Sequence, residues 1–76
     1  MDISQFIFKL IRELNKNEFY NVEVSKKYNK CDNTYSIQVT ADKNNGEYTH
    51  GYMINIDVTE LDNNSINKIV NKLLWW

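Results

Sequence analysis

Tyr35-Ser36-Ile37-Gln38-Val39-Thr40-Ala41, then Asn45-Gly46, then Tyr48-Thr49-His50-Gly51-Tyr52-Met53-Ile54-Asn55-Ile56-Asp57-Val58 is the stretch that decides the fold. Apolar and polar residues alternate on both sides of the Asn-Gly, which is the period of a strand with one buried face. Asn-Gly tolerates the positive φ angles of a tight primed turn. Two alternating runs joined this way predict a β-hairpin centred on Asn45-Gly46. The predicted tip, residues 42–47, is polar and stands at one end of a compact body.

Working toward the N-terminus, Phe19 to Tyr28 reads as a further strand. Tyr20, Val22 and Val24 are expected on one face, and Asn21, Glu23 and Ser25 on the other. Residues 29–33 are polar and read as a loop. Residues 2 to 16 carry Ile3, Phe6, Ile7, Leu10, Ile11 and Leu14 at helical spacing, with Asp2 placed to cap the first turn and Gln5 three residues on. Toward the C-terminus, residues 62–65 offer N-cap chemistry. Ile66, Ile69, Val70, Leu73 and Leu74 then form a second helical stripe that ends in Trp75 and Trp76. The expectation is one domain, residues 1–76, of the α+β class. Its order is α-β-β-β-α, a two-layer sandwich whose three-stranded antiparallel meander carries both helices on one face.

Composition narrows the function. Seventy-six residues hold one thin core, and 42% hydrophobic with 25% charged residues is ordinary for a globular chain. A net charge of −1 argues against a dedicated nucleic-acid binder, which usually has a basic surplus. A single cysteine, Cys31, favours a reducing cytoplasm, where thiols stay free. Lys9 and Arg12 interrupt the first apolar stripe, so neither a secretory signal nor a membrane span is expected. Twelve asparagines with frequent lysine and isoleucine fit the coding bias of an AT-rich bacterium or its phage.

No catalytic constellation is visible. His50 is the only histidine and reads as structural or solvated, since neither a nucleophile nor further metal ligands accompany it in sequence. Cys31 has Lys30 beside it but no histidine partner. The usual metal-binding and phosphate-loop motifs are missing, so neither an enzyme nor a cofactor is expected. Acids gather late: Asp42, Glu47, Asp57, Glu60 and Asp62 face only Lys43 between positions 42 and 62. Phe8 lies off the first helical stripe. Trp75 and Trp76 are adjacent, so they diverge around the helix; Trp75 is expected in the core and Trp76 in contact with a partner or a second copy.

The order α-β-β-β-α is also that of double-stranded-RNA-binding domains, but here the second helix opens on Asp62-Asn63-Asn64-Ser65 instead of basic residues. A second resemblance reaches individual residues. Leu10-Ile11-Arg12-Glu13-Leu14, then Asn15, Lys16, Asn17, Glu18, Tyr20, Val22 and Val24, with Ile37-Gln38-Val39 and Asn44-Asn45-Gly46-Glu47-Tyr48, resemble small prophage-encoded anti-CRISPR proteins. These inhibit the single-chain RNA-guided nuclease of type II systems. The resemblance covers about two-thirds of the chain. Where that family has a strongly acidic C-terminal segment, this chain ends in Leu73-Leu74-Trp75-Trp76.

The resemblance implies a cytoplasmic inhibitor that occupies the cleft with which the nuclease reads the protospacer-adjacent duplex. Carried over by position, the contact residues are Glu18, Tyr20, Asn44, Asn45, Gly46 and Glu47; the acid cluster adds Asp42, and the aromatic terminus adds Trp76. A cleft of arginines built to bind bases and phosphates also accepts carboxylates and amide oxygens. The expected partner is therefore a bacterial defence protein, with no membrane and no direct nucleic acid. Two alternatives stand beside it: an RNA-binding module using the open sheet face, and an obligate subunit or homodimer that buries its C-terminal tryptophans.

Overall fold

The computed structural model describes residues 1–75, with the backbone alone at Asn45. Helix α1 spans Ile3–Lys16, strand β1 Phe19–Asn29, β2 Thr34–Asn45, β3 Tyr48–Val58, and helix α2 Asn63–Leu74. The strands form one antiparallel sheet in the order β1-β2-β3. Helix α1 packs on β1 and α2 on β3, and the helices touch each other. The α-β-β-β-α sandwich is the expected architecture.

Both helices start on side-chain caps. Asp2 Oδ1 accepts from the Gln5 N–H at 2.8 Å, and Asp62 Oδ1 accepts from the Ser65 N–H at 2.9 Å. Each bond satisfies a donor that the first helical turn would leave open. Phe6, Leu10 and Leu14 of α1 meet Ile66, Ile69, Val70 and Leu73 of α2 over Ile37, Val39, Ala41, Ile54, Ile56 and Val58 of the sheet. Phe19 of β1 completes this small core, and truncating one member such as Leu10 costs about 2–5 kcal/mol, a large part of what so small a domain has.

Helix α1 is 14 residues long, about 21 Å, whereas an 11-residue strand runs about 37 Å. The helices therefore cannot cover the sheet end to end. The molecule measures 44 × 19 × 18 Å, and residues 48–51 are exposed on both faces of β3. The β2–β3 hairpin overhangs the sandwich beyond the C-terminus of α1.

Three expectations are corrected. The turn is centred one residue later than Asn45-Gly46, because Asn45 pairs with Tyr48 and leaves Gly46-Glu47 as the two-residue connection. Gly46 has φ +74° and Glu47 has no positive φ, the pattern of a type II′ turn with glycine first. Moving the centre by one residue slides β3 by two positions, so every side chain keeps its face.

The second correction concerns Tyr20. The register shifts between Tyr20 and Glu23, where Asn21 and Val22 stand opposite the single residue Ala41. Asn21 takes φ +51°, an angle that asparagine tolerates better than most residues. This bulge puts Phe19 in the core at 2% exposure and turns Tyr20 to the open face, away from Val22 and Val24. The third is Trp75, which is 88% exposed and holds no place in the core. Trp76 lies outside the described residues.

Candidate functional site

The overhanging hairpin end gathers most of the expected contact residues. Helix α1 closes on Asn17, whose N–H reaches the Glu13 and Leu14 carbonyls and whose Nδ2 donates to the Glu13 carbonyl at 2.8 Å. The chain then reverses through Glu18 at φ +70°. Phe19 pairs with Lys43, so exposed Glu18 stands one step further toward the tip. Left-handed geometry is costly for a residue with a β-carbon. The helix terminus imposes it and holds the Glu18 carboxylate in solvent.

Tyr20 is held on the open face. Its hydroxyl donates to Asn44 Oδ1 at 3.0 Å and lies 3.2 Å from Thr49 Oγ1. The Thr49 hydroxyl also donates to Asn44 Oδ1, at 2.9 Å. One triangle thus ties β1, β2 and β3 together next to the turn. Asp42 is half-buried and accepts from Asn21 Nδ2 at 3.2 Å. Opposite Asp42 stands Gly51, whose missing side chain leaves a shallow depression between Asn21, Glu23, Asp42 and Met53. Glu47 is exposed on the turn itself.

The other face of the overhang is aromatic. Phe19 meets Tyr52 edge-on at 5.8 Å, and the His50 ring lies 6.4 Å from both Tyr52 and Tyr48. Lys43 Nζ sits 5.0 Å above the Phe19 ring, a cation–π placement. No carboxylate or nucleophile is hydrogen-bonded to His50 among the described residues, and no group of three or more potential metal ligands occurs among them.

The structure brings Glu18, Tyr20, Asp42, Asn44, Gly46 and Glu47 to one end of the molecule, with the Asn45 backbone completing β2. It places Trp75 at the end of α2, with α2's own Asn71 and Lys72 beside it. Sequence reading missed Asn21, Thr49 and the buried Phe19. Their signal was the adjacent pair Phe19-Tyr20 followed by Val22 and Val24, a break in alternation that only a bulge repairs.

The open sheet face carries Glu23, Asp42 and Asp57 against one ammonium group, Lys27, which shares their parity. Side-chain hydrogen bonds there join neighbouring strands, as in Ser36 to Asp57 at 2.8 Å and Asn29 to Ser36 at 3.0 Å. Among the described residues no helix is long and apolar enough to cross a membrane. Fold and site together define a small α+β domain with a protruding, polar hairpin end. No family model, curated protein or solved structure matches the chain.

Proposed function

We propose that the chain is a non-enzymatic binding module that blocks a bacterial RNA-guided nuclease by placing its hairpin end in the basic cleft that receives target DNA. The observation that carries this reading is the convergence of two exposed carboxylates, Glu18 and Glu47, with the Tyr20 and Thr49 hydroxyl oxygens, which Asn44 Oδ1 holds in place by accepting from both, on one projecting end. Such a set presents acceptors to arginines that otherwise bind phosphates and base edges. The contact positions that the resemblance to type II anti-CRISPR proteins implies, Glu18, Tyr20 and Asn44 to Glu47, fall on this same end. The setting would be the cytoplasm of an infected bacterium.

The RNA-binding alternative loses ground on the open face. Three carboxylates there repel the phosphate backbone that supplies most nucleic-acid affinity.

The test is inhibition of guide-directed cleavage by a panel of type II effector nucleases, with wild type and a Glu18→Lys/Glu47→Lys variant. Wild type is expected to inhibit at least one of them, more tightly at low salt. The variant is expected to lose at least about tenfold, since each 1.4 kcal/mol is a factor of ten. Full inhibition by the folded variant would remove the hairpin end from the contact surface. Inhibition of no nuclease by wild type would end the reading altogether.

A further inference from the structure

We infer that the free edge of β3 pairs with the β3 edge of a second copy, joining two sheets into one of six strands. The sheet has two edges, because β2 is central. Edge β1 is guarded: it bulges at Asn21 and Val22 and carries adjacent Lys26 and Lys27. These devices blunt an edge against pairing. Edge β3 has none of them. It pairs with β2 at every residue from Tyr48 to Val58 without a shift. It contains no proline, lysine or arginine, and its one formal charge is Asp57.

The register defines which groups stand open. Asn45 and Tyr48 flank the two-residue turn and form a hydrogen-bonded pair. By alternation Tyr48, His50, Tyr52, Ile54, Ile56 and Val58 bond inward to β2. The backbone N–H and C=O of Thr49, Gly51, Met53, Asn55 and Asp57 point outward.

A two-fold axis through Met53 pairs every one of these groups. Thr49 then faces the second copy's Asp57, Gly51 faces its Asn55, and Met53 faces its own counterpart. Met53 is also the midpoint of β3, so this register uses the whole strand. It sets no carboxylate against another, whereas an axis at Asp57 would oppose two acids and leave most of the edge unpaired. On the other face, 68%-exposed Tyr48 gains Val58 as a cross-strand neighbour. The two hairpin ends point in opposite directions, and of the contact set proposed above the pairing engages Thr49 alone, through its backbone, leaving Glu18, Tyr20 and Glu47 open.

Sedimentation equilibrium up to about 1 mM tests the pairing, since weak self-association becomes visible in that range. Wild type is expected to move from 9.1 kDa toward twice that mass as concentration rises. Met53→Lys, at a side chain 52% exposed on the open face, is expected to stay folded by circular dichroism and monomeric, because it opposes two ammonium groups across the axis. Met53→Cys in a Cys31→Ser background is expected to form a disulfide-linked dimer on mild oxidation, while Asn64→Cys on α2 stays monomeric. Hydrogen-bonded cross-strand residues lie about 5.5 Å apart at Cα, inside the range that a disulfide spans. A wild-type monomer at about 1 mM would overturn the inference. So would a dimer that persists in folded Met53→Lys and leaves Met53→Cys uncrosslinked.

Discussion

The Tyr20 hydroxyl and the Asn44 carboxamide oxygen stand 3.0 Å apart, bridging from β1 to the hairpin end of β2. The bond exists because a bulge at Asn21 turns Tyr20 out of the helix-covered face. Tyr20→Phe removes one donor and leaves the Thr49–Asn44 bond in place. A stability loss of about 0.5–1.5 kcal/mol is expected, the usual net worth of one hydrogen bond. Chemical denaturation with unchanged m-value would show it. A loss near 3 kcal/mol would mean that the hydroxyl site is shut off from water and its removal strands a partner, not that it makes one ordinary bond.

Gly46 tests the turn assignment. Its φ is +74°, and a β-carbon built there meets nothing within 4 Å. Gly46→Ala therefore adds backbone strain without a clash, and a loss of about 1–2 kcal/mol is expected. D-alanine at the same position, introduced by chemical synthesis, is expected to restore or exceed wild-type melting. Equal melting of the two alanine enantiomers would contradict the left-handed turn.

Glu18 carries the same strain at φ +70°, but at a helix exit, where glycine is the usual residue. Glu18→Gly is expected to stabilise the fold by about 1 kcal/mol. The same change removes a carboxylate from the proposed contact surface, so inhibition is expected to weaken while melting temperature rises. Stability and activity moving in opposite directions would place Glu18 among residues retained for binding. A variant that melts higher and inhibits fully would make Glu18 a mere tolerated strain.

The faces of the sheet were legible in the sequence because alternation survives a two-residue slide. Misplacing the turn by one position left Ile37, Val39, Ile54 and Ile56 on the correct side. The helices were legible because Asp2 and Asp62 cap stripes of 3.6-residue period. Tyr20 was not, since a bulge is decided by the fit of β1 against Ala41 and Asp42, residues twenty positions away. Within the candidate site, Glu18, Asn44 and Glu47 were placed by position, whereas Asn21 and Thr49 enter only through hydrogen bonds across strands. Trp75 was misread because periodicity counts positions and cannot see that the core ends at Leu73.

Asp62 links stability to pH. The Ser65 backbone N–H favours its charged form and holds its carboxyl below the ordinary aspartate value of 3.8. A depressed carboxylate contributes stability that is fully present above the unfolded-state value and is lost as pH falls through the folded-state value. Melting temperature is therefore expected to fall as pH drops below about 4. Asp62→Asn keeps the cap but removes the charge, so the part of that fall due to Asp62 is expected to vanish. Parallel pH profiles for the two proteins would contradict the assignment.

Leu73 and Trp75, two residues apart at the end of α2, are expected to behave oppositely. Leu73 is 2% exposed and packed in the core, whereas Trp75 is 88% exposed. Leu73→Ala opens a cavity in a core with little to spare, at a cost of about 2–5 kcal/mol. Trp75→Ala removes a larger ring yet deletes almost no buried area, so a change within about 0.5 kcal/mol is expected. The backbone there is already closed by the Trp75 N–H, which donates to the Asn71 carbonyl at 3.0 Å and is kept in the alanine variant. Thermal melts of both variants decide the matter. A Trp75→Ala loss near that of Leu73→Ala would mean that the indole is covered in solution, and a mass that falls with it on a sizing column would identify the cover as a second copy.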